Sequence, residues 1–410
     1  MAQPLRILVA GAGIGGLATA LACSRAGHDV QVFEKAAALE PLGAGIQLGP
    51  NVTRVLHQWG LAGALNDVAA SPARLLVRSA RTGAELGQLR LGDNMAKRYG
   101  APYMTLHRAD LQGVLALAFE KSAGQSIAFG HAVGGFTQDA ASVRLRLQTP
   151  DGHTPLRDGD LLVGADGLWS KVRQALHGDG EPQATGHMAL RCLIRQSDLP
   201  IPLRSALKSD DISVWLGPNL HVVHYPVKGG EWLNLVVVLQ NTAQAQPDAW
   251  SQNVGAAAIE PILRGLFSSL RDLLSLPGQP DGNSPEWRKW DLFARAPMQS
   301  AREHGFGRVA LLGDAAHPML PFLAQGAGMA IEDAAALAGT LGPARDANDV
   351  SKQLEIFGRA RWQRNARVQA RSHRNAQIFH ARGVTRWGRD AAMKLLGERL
   401  LDVPWLYGGR

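Results

Sequence analysis

The chain has 410 residues, which at roughly 100–200 per domain corresponds to two or three domains. An apolar fraction of 46% and a charged fraction of 19%, with ten Trp and ten Phe, supply a large core and exclude a disordered or low-complexity chain. The net charge is +8, but Phe357 to Arg399 alone holds eleven Lys/Arg against two Asp/Glu, so one C-terminal segment carries the excess.

The longest apolar runs, such as Val114 to Phe119, fall far short of the roughly 20 residues of a membrane helix, so no integral membrane segment is expected. Met1 to Leu5 leads straight into Ile7-Leu8-Val9-Ala10 without the n-region or cleavage site of a signal peptide. Cys23 and Cys192 are too few for a disulfide framework or a cysteine metal site. They read as small core residues of a cytoplasmic protein with no metal.

In chain order, Leu5–Ala10 predicts a buried strand, Ile14–Ala26 a helix stopped by Gly27, and Asp29–Glu34 a second strand. Gly43–Gly49 reads as a glycine-rich loop before a helix from Pro50 to about Gly60. Arg74–Leu89 reads as a hairpin around Thr82-Gly83. Tyr103–Leu106 is strand-like and His107–Glu120 helical. Val143, Leu145 and Leu147 alternate with Arg144 and Arg146, and Asp160–Ala165 is a nearly all-apolar strand. Met188–Arg195, Ile212–Leu216, His221–Val227 and Trp232–Gln240 predict one sheet, and Ala256–Leu276 is mostly helical. Arg308–Leu312 resumes the buried-strand pattern, Gln325–Leu341 is a helix, and Ser351–His380 is a long helix studded with arginine.

The α/β pattern thus recurs in pieces separated by a β-rich block. The expected fold class is α/β: a discontinuous Rossmann-like domain (1–72, 101–178 and 285–345), an inserted mostly β domain (73–100 and 179–284), and a C-terminal helical segment (346–410).

Gly11-Ala12-Gly13-Ile14-Gly15-Gly16 follows a strand and opens a helix, with Glu34 ending the next strand. Gly11 permits the tight turn, Gly13 lets the backbone approach a pyrophosphate, and Gly16 lets helix and strand pack closely. Free N–H groups and the helix dipole then favour the pyrophosphate. Glu34 accepts hydrogen bonds from a ribose and repels a 2′-phosphate. The pattern points to a dinucleotide in preference to a merely tight turn, and by itself leaves FAD and NAD both open.

Two further motifs break the tie. Asp160-Leu161-Leu162-Val163-Gly164-Ala165-Asp166-Gly167 and the following Leu168 to Arg173 resemble the DG motif of the single-component flavoprotein aromatic hydroxylases. Arg308 to Pro318, with Gly313-Asp314 at its centre, resembles their GD motif. With the Gly11 fingerprint these match the p-hydroxybenzoate hydroxylase-like family across nearly the whole chain. Gly43 to Asn51, His107 to Leu111, Leu320 to Asp333 and Trp405-Leu406-Tyr407-Gly408 are similar to the branch of salicylate hydroxylases, 3-hydroxybenzoate 6-hydroxylases and 6-hydroxynicotinate monooxygenases.

The resemblance implies FAD as cofactor, NADH or NADPH as co-substrate, and O2 activated as a flavin C4a-hydroperoxide that attacks an electron-rich ring. It implies roles for Gly11, Gly13, Gly16, Glu34 and Lys35 at the dinucleotide and for Arg108 at the pyrophosphate. Asp314 would hold the ribityl hydroxyls, although an N-cap explains it equally. Asp166 stands where the motif couples FAD and NAD(P)H, or simply ends a strand. The helix start at Gly326 and Ala327 would aim its positive end at the flavin, or is a packing turn.

His221 and Tyr225 fall on one face of a strand and match the branch's His and Tyr at the ring hydroxyl; as residues alone they read equally as structural. His224 faces the other side and His317 reads as a loop anchor. Gln47 occupies a position where one branch member has a catalytic His, so it touches substrate without serving as a base. Pro321 stands where the 3-hydroxybenzoate 6-hydroxylases carry Gln, and Phe322 replaces a His of the hydroxynicotinate enzymes. Leu320, Pro321 and Phe322 therefore form an apolar wall that favours a salicylate-like phenol over a pyridine, and no Arg falls in a matching pocket position. The expected partners are a small aromatic substrate, O2 and NAD(P)H, for a monomer or homodimer that binds no nucleic acid. The alternatives are a hydroxylase of a lipophilic quinone precursor at a membrane surface, and a non-catalytic flavin-binding protein with a basic interaction tail. The basic helix lacks a continuous apolar face, and its charges either lie in solvent or pair with acids of the FAD domain.

Overall fold

A computed structural model describes residues 4–40, 44–123, 127–241, 252–278, 285–342 and 349–409. Two sheets carry the fold, each assembled from distant segments. The first has six strands in the order Gly305–Phe306, Val309–Leu311, Leu161–Gly164, Arg6–Ala10, Asp29–Glu34, Ile127–Phe129. All pairs are parallel except the first. Its central strands read as unbroken apolar runs because both faces are covered. On one face lies the helix Ile14–Arg25, wedged between Gly326–Leu341 and Arg108–Ala123. On the other lies a three-stranded sheet whose Val143, Leu145 and Leu147 pack on Leu8, Leu162 and Leu311. Strands succeed Arg6–Ala10 on both sides, so the turn at its carboxyl end is a topological switch point, where α/β sheets bind ligands.

The second sheet has eight strands, in the order Gln252–Val254, Trp287–Ala294, Gln183–Arg195, Trp232–Gln240, Leu220–Val227, Ile212–Gly217, Arg74–Ser79, Glu85–Arg90. Period-2 alternation divides it cleanly. Leu190, Cys192, Trp215, Val222 and Leu235 face a core completed by Leu270, Leu273 and Leu274. Arg191, Val236, Val238, His221, Val223 and Tyr225 occupy the opposite face, which looks toward the first sheet. Burial pushes both thiols, Cys23 and Cys192, up to about 12, so they are core residues and not nucleophiles at neutral pH.

Four local expectations are corrected. Gly45–Leu48 is not loop but a strand paired antiparallel with Met104–His107. Glycine had masked a ladder whose partner lies far along the chain; Gly43 itself lies outside the described residues. Ala256–Leu276 is broken into short pieces, because Arg264 is extended and Gly265 has φ +79°. Helices at Gly92–Tyr99 and Ile201–Leu207 were not expected. Trp287–Ala294 pairs with Gln183–Arg195, so this part of the segment 285–345, expected in the dinucleotide domain, belongs to the large sheet.

The basic segment pairs with acids. Val350–Phe379 is one helix of 30 residues, and it buries a polar stripe. Arg361 bonds Asp333 at 2.7 Å and Glu332 at 3.0 Å, and Arg364 bonds Glu332 at 2.6 Å. One turn after another, Gln369, Ser372 and Asn375 then donate to the carbonyls of Pro318, Leu320 and Phe322 at 3.1, 2.7 and 3.0 Å. No helix among the described residues is long and apolar enough to cross a membrane.

Candidate active site

A cavity of about 340 Å³ lies between the switch point and the inward face of the large sheet. Its dinucleotide end is built by the glycine turn. Gly11 has φ +98°, and a Cβ there would stand 2.7 Å from the carbonyl oxygen of Ala165; one on Gly16 would stand 1.9 Å from that of Gly11. No side chain fits either place. Gly13 faces the cavity, with only the Arg108 guanidinium within 4.0 Å of where its Cβ would be. Glu34 accepts the N–H groups of Ala12 at 2.7 Å and Ala36 at 2.9 Å, so it braces the turn and retains lone pairs for a ribose. Lys35 beside it is exposed.

Asp314 is exposed toward this cavity, and the protein crowded around it raises its carboxyl pKa by desolvation. Its Oδ1 lies 3.8 Å from where a Cβ on Gly326 would stand, and Gly326 and Ala327 start the helix Gly326–Leu341 at the cavity wall. Asp166 is placed differently: Ala165 and Gly167 line the cavity, while the Asp166 carboxylate accepts from Ser170 Oγ, Lys171 N and Val172 N at 2.5, 2.8 and 3.1 Å. It caps the helix Lys171–His177. His317 is the expected anchor: its Nε2–H donates to Asp333 at 2.5 Å, and Asp333 also accepts Gly313 N at 3.1 Å.

At the other end His221 and Tyr225 both line the cavity, with Gln47, Leu320 and Pro321. Tyr103 Oη donates to Gln47 Oε1 at 2.8 Å. Gly45 crosses the sheet face so closely that a Cβ would stand 2.6 Å from the Tyr225 ring; its N–H donates to Asn234 at 2.7 Å. Burial raises the Tyr225 hydroxyl above its ordinary range. Phe322 does not line the cavity. It packs behind His221, ring centroids 4.9 Å apart.

Sequence reading missed three features here. Arg191 lines the cavity, which corrects the expectation that no Arg falls in the pocket. Its guanidinium lies 4.9 Å over the Trp290 ring, its Nε makes no hydrogen bond, and no carboxylate among the described residues pairs with it. It is close enough to Tyr225 for each to influence the other's ionisation. His380, from the end of the long helix, bonds His221 (Nε2 to Nδ1, 2.9 Å), and the His187 ring lies tilted beside it with centroids 5.3 Å apart. The signal for Arg191 lay in the alternation of its strand, whereas nothing local announced His380. Among the described residues no cluster of His, Cys, Asp or Glu could hold a metal.

Burial drives five histidines down: His28 below its ordinary value, His221 well below it, His224 and His304 to about 3, and His380 to about 4. Each is neutral when folded and takes a proton near pH 6.5 when unfolded. Below that pH the unfolded chain binds more protons, so stability falls as the solution is acidified. Each group contributes up to about 1.4 kcal/mol per pH unit, down to its folded pKa. Urea midpoints should therefore be clearly lower at about pH 5 than at about pH 7.5, and equal midpoints would contradict these buried neutral rings.

A family model described as an FAD binding domain matches residues 5–372. A 3-hydroxybenzoate 6-hydroxylase of Polaromonas naphthalenivorans (strain CJ2) is 35% identical over 407 residues, covering 98% of this chain and 96% of that protein. A 6-hydroxynicotinate 3-monooxygenase of Bordetella bronchiseptica (strain ATCC BAA-588 / NCTC 13252 / RB50) is 34% identical over 374 residues, covering 91% and 92% respectively. A solved salicylate hydroxylase substrate complex is similar with TM-score 0.78 and 26% identity, covering 98% of this chain and 95% of that one.

Proposed function

Because the chain belongs to the FAD-binding-domain family of flavoprotein aromatic monooxygenases, we propose that it hydroxylates a phenolic aromatic acid of the salicylate type, with NADH or NADPH and O2 as co-substrates. The carrying observation is one cavity that joins the glycine turn to a sheet face bearing His221, Tyr225 and an unpaired Arg191.

The residues present suit FAD. Gly13 leaves the backbone bare beside the Arg108 cation, as a pyrophosphate requires. Asp314 supplies a carboxylate for ribityl hydroxyls, and the start of Gly326–Leu341 supplies free N–H groups for an electron-rich ring edge. When bound, FAD supplies the two-electron chemistry and the activation of oxygen.

The chain's own residues bind and orient the ring. His221 accepts the phenol proton and Tyr225 hydrogen-bonds the same oxygen. Val223, Val236, Val238 and Leu320 keep water from the rest of the cavity. Arg191 binds the carboxylate, because a guanidinium remains charged even where burial lowers its pKa.

The test is a panel of phenolic acids and their carboxamides, scored for stimulated NADH and NADPH oxidation and for hydrogen peroxide. Acids should stimulate coupled turnover and carboxamides should bind far more weakly. Arg191→Gln should raise KM for the acids by roughly 10- to 100-fold, the worth of a charged hydrogen bond, with a smaller change in kcat. Failure of every phenol to stimulate oxidation would refute the hydroxylase reading.

A lipophilic quinone precursor taken from a membrane surface is the second reading. It is favoured by Val384, Trp387 and Leu395, 87%, 70% and 84% exposed on the helix Gly383–Leu396 beside Arg386 and Lys394. Co-sedimentation with anionic vesicles distinguishes it.

A further inference from the structure

A second cavity, also of about 340 Å³, adjoins the ring cavity at Arg191 and Ala44, the two residues that line both. Its further walls include Asn234, Glu286, Arg288 and Trp290, and the exposed Glu286 marks where it meets solvent. The chemistry proposed above makes no use of it.

Strand pairing gives this cavity its charge. Arg191 on Gln183–Arg195 stands directly opposite Arg288 on Trp287–Ala294, and residues so paired project from the same face of a sheet. Like charges in that register destabilise a sheet. Elsewhere the chain matches a buried arginine with acids, as it does Arg361 with Asp333 and Glu332. Here no ion pair among the described residues reaches either guanidinium, and Arg191 Nε is buried without a hydrogen bond. The Arg191 guanidinium rests instead on the Trp290 ring, 4.9 Å from its centroid. Asn234, 0% exposed, accepts Gly45 N at 2.7 Å through Oδ1, while its Nδ2 is buried with no partner. Donors thus gather here without an acceptor. What they lack is an anion, which charge-assisted hydrogen bonds would hold.

We propose that the second cavity is an anion port, where Arg288 and Arg191 hold the carboxylate of an aromatic acid before its ring passes into the cavity beyond. The inference rests on the hydroxylase reading above, and no covalent bond changes in the step. Trp290 offers the incoming ring a flat apolar face. Because Arg191 borders both cavities, the carboxylate keeps one guanidinium throughout the transfer. It is never stripped of water and left unpaired, the costly condition for a charge inside a protein. Arg288 lines only the outer cavity, so it stabilises the passage and not the final complex. Its loss should slow entry and exit alike. The phosphates of a dinucleotide would meet the same charges, and the two sources are separated by experiment.

The experiment uses the FAD-loaded full chain. A phenolic acid that supports turnover is mixed with it in stopped flow, without NAD(P)H, and its arrival is followed by the flavin absorbance it perturbs. In Arg288→Gln the association rate should fall roughly 10-fold and lose most of its dependence on ionic strength. Dissociation should slow by the same factor, so that Kd is nearly unchanged. Arg288→Lys should recover most of the rate, and the uncharged carboxamide should enter every variant equally fast. Glu286→Lys, at an exposed position harmless to folding, should speed association of the acid roughly 3-fold or more. Unaltered association in both Arg288→Gln and Glu286→Lys would overturn the port. So would an Arg288→Gln protein whose Kd rises by the full factor with dissociation unchanged, since Arg288 would then act on the final complex. A raised KM for NADH or NADPH in flavin reduction, with acid association unaltered, would give the cavity to dinucleotide phosphates and also overturn it. Should Arg288→Gln not fold, the Glu286→Lys result decides alone. If no phenolic acid perturbs the flavin or stimulates NAD(P)H oxidation in the unmodified protein, the hydroxylase reading is what fails.

Discussion

His221→Ala is expected to retain FAD and lose coupled hydroxylation by roughly 100- to 10,000-fold, the range for removing a positioned acid–base group. The two effects separate because of where the residue stands. It pairs in register with Val238 and Leu216 in the large sheet, while the glycine turn and Arg108 belong to segments at the opposite end of the cavity. Truncation leaves the backbone ladder in place and removes the ring that lines the cavity, with its bond to His380 and its packing on Phe322 and Phe379. NAD(P)H oxidation that continues with peroxide in place of hydroxylated product is the expected signature. Coupled turnover at the original rate would remove His221 from the reaction.

Arg361→Ala should lower stability by about 3–5 kcal/mol, the usual cost of leaving buried charge without its partner. Arg361 is 6% exposed and joins two carboxylates, Asp333 at 0% and Glu332 at 8%. Asp333 also holds Gly313 N and His317, so the damage reaches the loop that carries Asp314, and FAD affinity should fall with stability. The pH dependence has a definite sign. The cations hold both carboxyls below their ordinary values despite burial. Their contribution is present above about pH 4 and is lost on acidification below it. Urea titrations of the FAD-free protein at neutral pH test the magnitude; a change of under about 1 kcal/mol would mean that the network contributes little net energy.

The readable parts of the sequence were those in which function constrains a local pattern. Gly11, Gly13, Gly16 and Glu34 announced the turn because each physical requirement falls within one βαβ unit. His221 and Tyr225 were legible as a pair because strand alternation places them on one face. The unread parts depend on partners remote in sequence. Gly45–Leu48 becomes a strand only beside Met104–His107, and His380 reaches His221 across 159 positions. Arg191 was passed over inside the strand Met188–Arg195, whereas its face of the sheet turns inward to the cavity. The long helix has an apolar stripe only at its start, Val350, Leu354 and Phe357, and the buried stripe then runs on through Arg361, Asn365, Gln369, Ser372 and Asn375. Hydropathy records such a helix as solvated, and only the acids and carbonyls opposite reveal otherwise.

That helix holds the segment Pro318–Phe322 by three backbone oxygens, while its Ala376 and Phe379 pack on Leu320 and Phe322. The hydrogen-bonded part of the grip is indifferent to which side chains the segment displays. Pro321, which lines the cavity outside that packed cluster, can therefore be exchanged, altering the contour and polarity presented to the ring, while the main chain keeps its place. A scaffold so arranged allows substrate preference to drift, or to be reprogrammed, without re-engineering the frame that supports it.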